Sequence, residues 1–221
     1  MGNEVDFAAM AARHRSELLD NVLPFWLERS QDKVFGGYFT CLGRDGSVFD
    51  TDKFVWLQGR EVWMFSMLYN SFRKDPEWLR CAEQGARFLL EHGYTGDYDF
   101  YFSLTREGQP LVHPYNIFSN TFACMAFAQL AKATGKEEYA LVAKEIDECL
   151  REVLDVFYQP DLGVMVENVS VDGSLVDCFE GRRVNPGHDL EALWFIMNLG
   201  LRKGDKDLIR KAVDISLRVI D

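Results

Sequence analysis

Short segments of alternating apolar and polar residues recur three times along the chain, each around an acidic residue followed by glycine. The central pairs are Asp45-Gly46, Glu107-Gly108 and Asp172-Gly173. Alternation predicts a half-buried strand, and an acidic-Gly pair between two such strands indicates a tight hairpin turn. The acidic residues are 62 and 65 positions apart, so the pattern predicts a repeated structural unit.

Helical patterns fill the chain between these hairpins, with apolar residues spaced three and four positions apart. They predict seven helices, at about 6–28, 54–72, 77–92, 117–133, 137–156, 186–203 and from 205 onward. Consecutive helical pairs joined by short turns and hairpin loops predict an all-α fold, either an α/α toroid or an open solenoid. Elaborated loops on one side favour the toroid, because such loops usually carry a site at its mouth.

The composition narrows the classes of function. The 221 residues are 48% hydrophobic and 27% charged, which is sufficient for one globular domain. The formal net charge of −11 argues against nucleic acid and anionic membranes as partners. The five cysteines form no Cys-x-x-Cys pair, and the chain has neither a signal-peptide pattern nor a membrane-length apolar run. We therefore expect reduced thiols and a cytoplasmic protein.

The first candidate for chemistry lies at the start of the second predicted helix. Helical spacing places Trp56, Arg60 and Trp63 on one face. An arginine between two indole rings can donate hydrogen bonds to sugar hydroxyls while the rings stack on the sugar. A core helix with Arg60 paired to a carboxylate fits the spacing equally well.

A second candidate lies at the start of the helix predicted from Pro186, which Asn185 is suited to cap. His188 then falls in the first turn, and Glu191 on the same face can hold its imidazole. The helix N-terminus disfavours the imidazolium and Glu191 favours it, a balance that suits an acid–base residue. A structural histidine is the alternative, and the few other histidines show no metal-ligand spacing.

A third junction, where the second hairpin enters a helix, holds Tyr115, Asn116 and Asn120. These side chains suit sugar hydroxyls, although capping and turn chemistry explain them equally well. The chain has no glycine-rich phosphate loop and no Gly-x-Ser-x-Gly motif. The sequence therefore does not predict a Rossmann or P-loop nucleotide site or a nucleophilic serine.

Two long stretches around these junctions resemble the N-acylglucosamine 2-epimerase family. They read FWLERSQDKVFGGYFTCLGRDGSVFDTDKFVWLQGREVWM and ENVSVDGSLVDCFEGRRVNPGHDLEALWF, the second followed by RKGD. The resemblance implies an (α/α)6 toroid and an epimerase that interconverts N-acetylglucosamine and N-acetylmannosamine, or a related aldose, through an enediolate. A mannose-type aldose–ketose isomerase and a non-catalytic sugar- or protein-binding homologue are the alternatives.

The resemblance also implies roles for single residues. It assigns Arg60 to the developing oxyanion, His188 to the base, Glu191 to its partner and Trp194 to an aromatic near the sugar. It implies no required cofactor, with ATP as an effector in some members, and it suggests a homodimer. It further implies a segment missing near Glu145-Ile146 and a second histidine in a C-terminal part outside this chain. We therefore expect residues 1–221 to form one partial toroid domain.

Overall fold

The computed structural model describes residues 6–96, 99–114, 118–170 and 172–220, and between 145 and 152 it describes the helical backbone alone. Helices dominate this part of the chain, at positions close to those predicted. They are α1 (Phe7–Ser16), α2 (Leu23–Arg29), α3 (Val55–Ser71), α4 (Pro76–Phe88), α5 (Phe118–Thr134), α6 (Glu137–Glu152), α7 (Pro186–Lys203) and α8 (Lys206–Ile220). A π-helical turn joins α1 to α2, so the two form the single N-terminal helix that the sequence predicts.

The helices are arranged in two layers. The inner helices α3 and α5 pack side by side, and each outer helix packs on the inner helix before it: α4 on α3, α6 on α5 and α8 on α7. The outer helices α4 and α8 carry one apolar stripe, whereas α3 and α5 are apolar around most of their circumference. An all-round apolar helix has neighbours on several sides. This layering of helical pairs confirms the predicted all-α class and is common to the α/α toroid and the open solenoid.

The bounds of α7 follow from local sequence signals. Asn185 caps the helix, its Oδ1 accepting from the Gly187 amide at 3.1 Å, and Pro186 occupies the first helical position. Gly204 ends the helix in the left-handed conformation, with φ of 68°. The sequence prediction of 186–203 is therefore confirmed at both ends.

Two of the three predicted hairpins are confirmed. Strand β1 (Cys41–Leu42) pairs antiparallel with β2 (Val48–Asp50), and β4 (Ser103–Leu104) pairs with β5 (Pro110–Val112). Strand β3 (Lys53–Phe54) adds to β4, which gives a three-stranded sheet in the order β3-β4-β5. This sheet joins the loop before α3 to the loop before α5.

The third hairpin prediction is wrong in its pairing. Strand β6 (Tyr158–Gln159) pairs with β7 (Val164–Met165), upstream of the predicted turn. At Asp172 the described residues do form a turn, in which Ser174 donates its amide to Asp172 Oδ1 at 3.0 Å. The acidic-Gly signal located this turn correctly. The alternation could not reveal that the partner of β7 precedes it, because strand pairing depends on tertiary contacts.

A buried ion cluster fixes the loops on the N-terminal side of α3. Lys53 Nζ is fully buried and donates to Asp32 Oδ2 at 3.0 Å, to the Gly36 carbonyl at 2.6 Å and to the Arg106 carbonyl at 2.8 Å. Arg106 Nε also donates to Asp32, at 3.0 Å. Burial opposes the charge of Asp32, but the hydrogen bonds from Arg106 and Lys53 outweigh it and lower the pKa of Asp32 to about 2. The cluster joins the first loop to β3 and to the second hairpin.

A second buried acid, Glu61, lies at the start of α3 and bonds Ser30 Oγ. The Ser30 hydroxyl faces two acceptors, the Glu61 carboxyl and the Trp26 carbonyl at 2.7 Å, and Gln31 Nε2 donates to Ser30 Oγ at 3.1 Å. Burial raises the pKa of Glu61 to about 8, although the hydrogen bond that Ser30 donates to its carboxyl lowers it.

We expect Glu61→Gln to flatten the pH dependence of stability. The folded pKa of about 8 lies above 4.5, the ordinary value of a glutamate carboxyl, so the stabilising proton is fully present below pH 4.5 and is lost as pH rises through 8. Between these values the free energy of unfolding of the wild type falls by about 1.4 kcal/mol per pH unit from this group. Thermal melts across this range, with Glu138→Gln on the exposed face of α6 as control, measure the difference. An unchanged slope in Glu61→Gln would contradict the protonated state.

Within the described ranges, no helix is both long and apolar enough to cross a membrane. Cys41, Cys81, Cys124 and Cys178 form no disulfide bond among the described residues.

Candidate active site

A cavity of about 330 Å³ opens where the N-terminal ends of α3, α5 and α7 meet. Each inner helix contributes its first turns, and the loop before α7 closes one side. The lining therefore combines aromatic rings with charged side chains, a combination typical of a site for a polar small molecule. The lining residues are Trp56, Arg60, Phe102, Phe118, Phe122, Glu167, Asn168, Glu180, Arg183, His188 and Glu191.

Arg60 lies between two aromatic rings and a carboxylate. Its guanidinium carbon is 4.3 Å from the ring centroid of Phe122 and 5.2 Å from that of Trp56. Its Nη2 bonds Glu191, which joins α3 to α7. Because a guanidinium has five N–H donors, this ion pair leaves donors for a bound oxygen. The prediction that Trp63 would be the second ring was wrong: its place is taken by Phe122, and Trp63 packs against Trp194 at 6.4 Å.

Gln58 and Gly59, which precede Arg60, each have a structural role. Gln58 is buried and pairs with the backbone of Tyr38 like a strand residue, accepting from its amide at 2.8 Å and donating to its carbonyl at 2.9 Å. At Gly59 a Cβ would lie 2.9 Å from the carbonyl carbon of Phe122. Glycine therefore permits the close approach of α3 and α5 that brings Phe122 against Arg60.

We expect Gly59→Ala to push α5 away from α3 and to destabilise the fold by about 1–3 kcal/mol, as overpacking does. The clash is with backbone of Phe122, so a side-chain rotation cannot relieve it. Urea denaturation measures the loss. Gly96→Ala is a control for alanine at a glycine with open space, although its φ of 93° adds its own strain. A Gly59→Ala variant as stable as the wild type would contradict the close packing.

His188 lies in the first turn of α7, as predicted, but its partner differs from the expected one. Its Nδ1 bonds Glu167, and Glu191 bonds Arg60 instead. The imidazole and the ring of Phe118 pack in a T-shaped arrangement, with centroids 4.7 Å apart. The side chain of His188 is 45% exposed, so the imidazole is held on one side and accessible to a ligand on the other.

Glu167 was missed by sequence reasoning. It follows β7, and its amide donates to the Arg183 carbonyl at 3.1 Å. Its Oε2 pairs with Arg183 Nε at 3.0 Å, while Oε1 bonds His188. Glu167 lies in the stretch ENVSVDG that the sequence marked as hairpin. No local signal separated it from other acidic residues, because its two partners are 16 and 21 positions away along the chain.

Asp189 is a buried acid directly behind the site. It is 3% exposed and borders a small cavity of about 30 Å³, together with Glu167 and His188. Its Oδ2 has no hydrogen-bond partner among the described residues. Burial raises the pKa of Asp189 to about 6, and the nearby Glu167 charge adds to this.

Two of the predicted sugar-binding residues, Trp194 and Asn120, do not line the 330 Å³ cavity. Trp194 does not border the 330 Å³ cavity but lines a larger groove of about 1140 Å³ between α5, α6 and α7. The amide of Asn120 accepts from the Phe100 amide at 2.9 Å and donates to Asp99 at 2.6 Å, so it supports the loop before α5. Trp56 borders the 330 Å³ cavity, and its role in sugar binding stays a prediction. Tyr115 and Asn116 lie outside the described residues.

In the described ranges, no group of three or more His, Cys, Asp or Glu side chains could hold a metal ion.

Comparison with a protein-family model gives two matched stretches. Residues 37–172 and 152–221 match the family described as N-acylglucosamine 2-epimerase (GlcNAc 2-epimerase). N-acylglucosamine 2-epimerase of Rattus norvegicus is 35% identical over 257 aligned positions, covering 89% of this chain and 61% of the rat protein. The Homo sapiens protein of the same name is 33% identical, with coverage of 89% and 60%. The chain thus spans about three-fifths of the length of these curated relatives.

Solved structures show the same fold. The cellobiose 2-epimerase of Bacillus thermoamylovorans has a TM-score of 0.75 at 22% identity, covering 95% of this chain and 55% of its own. The cellobiose 2-epimerase of Spirochaeta thermophila has a TM-score of 0.70 at 25% identity, with coverage of 96% and 53%. These structures are (α/α)6 toroids, so the predicted fold class is confirmed.

Proposed function

The chain belongs to the N-acylglucosamine 2-epimerase family, and we propose that it acts on the C2 position of a reducing sugar, interconverting N-acetylglucosamine and N-acetylmannosamine. The observation that carries this proposal is the meeting of Arg60 and His188 at one aromatic-walled cavity. They come from helices 128 positions apart along the chain. An accessible imidazole can remove a proton from the carbon next to a carbonyl, and a guanidinium beside it can stabilise the oxyanion that forms.

The chemistry begins on the open-chain sugar, whose C1 is an aldehyde. His188 takes the C2 proton, the C2–H electron pair forms a C1–C2 double bond, and the C1 oxygen becomes an oxyanion. The donors of Arg60 that do not bond Glu191 stabilise this oxygen, and the Trp56 and Phe122 rings keep the guanidinium in place. Return of a proton to C2 restores the aldehyde. The reaction consumes no electrons, so we propose that it needs no redox cofactor.

Inversion requires protonation of C2 from the face opposite to the base. Within the described part of the chain, His188 is the one imidazole that borders the cavity. A single base returns the proton to the face from which it was taken. We therefore propose that His188 alone exchanges the C2 proton with solvent, and that inversion needs a second proton donor on the other face.

The choice of sugar follows from the relatives. The rat and human N-acylglucosamine 2-epimerases are 35% and 33% identical to this chain, whereas the cellobiose 2-epimerase of Bacteroides fragilis is 29% identical over 58% of it. The test is product analysis after incubation with N-acetylglucosamine, N-acetylmannosamine, mannose and cellobiose. We expect C2 chemistry on the two N-acetylated sugars. Conversion of mannose to fructose, with no reaction of the N-acetylated sugars, would instead identify an aldose–ketose isomerase.

We further propose that the natural protein carries a helical pair that this sequence omits near Glu145-Ile146. The rat alignment runs over 257 positions, but 89% of this chain is about 197 residues, so about 60 positions are occupied in the relative alone. Residues 152–172 fall in both stretches matched to the family. This double match is expected if residues 152–172 can align with two successive repeats of the family, the one that is omitted here and the one that follows it. The omitted length is close to the 62- and 65-residue hairpin spacing.

The groove between α5 and α7 fits such a pair. Its lining is mainly apolar and includes Trp63, Met67, Met125, Ala128, Trp194 and Leu199. Trp194 is 45% exposed there, and a large exposed apolar patch usually faces a partner. Peptide mass mapping of the natural protein tests the proposal. We expect peptides from about 60 additional residues; the tryptic peptide EIDECLR, residues 145–151, would contradict it because it crosses the junction.

We also propose a cytoplasmic location, supported by the four cysteines that form no disulfide bond among the described residues. Thiols remain reduced in the cytosol.

A further inference from the structure

We infer that Glu167, held in place by Arg183, is a positioning residue that fixes the tautomer and the orientation of His188. The effect on catalysis rests on the function proposed above, whereas the effect on the tautomer does not. Glu167 and Arg183 both lie in the loop region between β7 and α7, outside the inner helices.

The two oxygens of Glu167 have different partners. Oε1 meets His188 Nδ1, and Oε2 meets Arg183 Nε at 3.0 Å. A backbone hydrogen bond of 3.1 Å from the Glu167 amide to the Arg183 carbonyl brings the two residues together. The carboxylate is thus anchored at one oxygen and presents the other to the imidazole.

Hydrogen-bond chemistry then determines which nitrogen of His188 carries the proton. An ionised carboxylate only accepts, so Nδ1 must be the donor. In the neutral ring Nε2 is left with the lone pair, which is the form a general base requires. The orientation of a histidine by an acceptor on its other nitrogen is a recurrent way to set a catalytic imidazole.

Burial and packing strengthen the restraint. The side chain of Glu167 is 13% exposed, whereas that of His188 is 45% exposed, so the contact is shielded on the carboxylate side and open on the ligand side. Arg183 compensates the buried charge of Glu167. The Phe118 ring, 4.7 Å from the imidazole centroid, limits rotation of the histidine.

Nitrogen-15 NMR of the histidine rings in the sugar-free chain tests the inference, read in the neutral form of His188. We expect only the Nδ1–H tautomer in the wild type. In Glu167→Gln we expect a mixture of the two tautomers, because the amide of the glutamine can either donate to Nδ1 or accept from it. Glu180→Gln is the matched control: Glu180 also borders the cavity and pairs with Arg183, at 3.3 Å. We expect it to leave the Nδ1–H tautomer in place.

Kinetics of C2 proton exchange provide the second readout. We expect Glu167→Gln to lower kcat by about 10- to 100-fold, the range known for the loss of groups that orient metal-bound histidines. We expect KM to change less than about twofold, because Arg60 and the aromatic rings of the cavity remain in place. A wild type with the Nε2–H tautomer, or Glu167→Gln with an unchanged tautomer, would overturn the inference. If the wild type exchanges no proton, the proposed function fails while the tautomer measurement still decides the role of Glu167.

Discussion

His188→Ala is expected to lower the rate of C2 proton exchange by about 100- to 10,000-fold, the usual contribution of a positioned general base. The cavity and the Arg60 guanidinium remain in this variant, so sugar binding is expected to change little. The loss falls on kcat because no other imidazole borders the cavity within the described residues. Deuterium uptake at C2, followed by NMR at saturating sugar, measures the rate.

His14→Ala provides the matched control for this prediction. His14 lies on the exposed surface of α1, so its removal is expected to leave the exchange rate unchanged. If His188→Ala exchanges the C2 proton as fast as His14→Ala, the base is a different group and the proposed role of His188 is wrong.

Lys53→Met is expected to destabilise the fold by about 3–5 kcal/mol, as breaking one side of a buried ion pair does. The substitution keeps the apolar volume but leaves Asp32, fully buried, with the Arg106 side chain as its remaining cationic partner. It also removes donors from the Gly36 and Arg106 carbonyls. Both losses affect the loops that position the first turn of α3, and therefore Arg60.

Urea denaturation of Lys53→Met is compared with Lys33→Met, which removes an exposed lysine from the neighbouring turn. Surface substitutions of this kind usually change stability by less than about 0.5 kcal/mol. Equal stability of the two variants would show that the buried cluster contributes little to the fold.

The sequence predicted the helices well because their signals are local. The cap at Asn185, the proline after it and the left-handed Gly204 specify both ends of α7 without reference to any other element. The first two hairpins were equally accessible, because an acidic-Gly turn and two alternating strands lie within about 12 residues. The third hairpin failed because alternation shows that a strand exists but not which strand it pairs with.

The candidate site was predicted in part. Arg60 and His188 were found because each stands in the first turns of a helix behind a recognisable junction, and the structure brings both to one cavity. Their partners were not found. Spacing of three or four within one helix suggested Trp63 for Arg60 and Glu191 for His188, whereas Phe122 and Glu167 come from other elements. Contacts between elements depend on how helices and loops pack, and periodicity carries no information about that packing.

The expected position of Trp194 was wrong for a related reason, because it depends on which face of α7 the side chain occupies. The family resemblance placed Trp194 near the sugar, but the side chain lines the groove between α5, α6 and α7. Helical geometry accounts for the difference, since six positions correspond to 600° along an α-helix, or 240° around it. The two side chains therefore point to different faces of α7.

The most direct test of the central claim is deuterium incorporation at C2 of N-acetylmannosamine, incubated with this chain in heavy water and followed by proton NMR. The account predicts that the C2 proton signal disappears while the other carbon-bound protons of the sugar remain. Deuterium without epimer would indicate His188 acting on one face, and deuterium in both epimers would indicate a second donor as well. No loss of the C2 proton from N-acetylmannosamine or N-acetylglucosamine would contradict the claim that this cavity removes it.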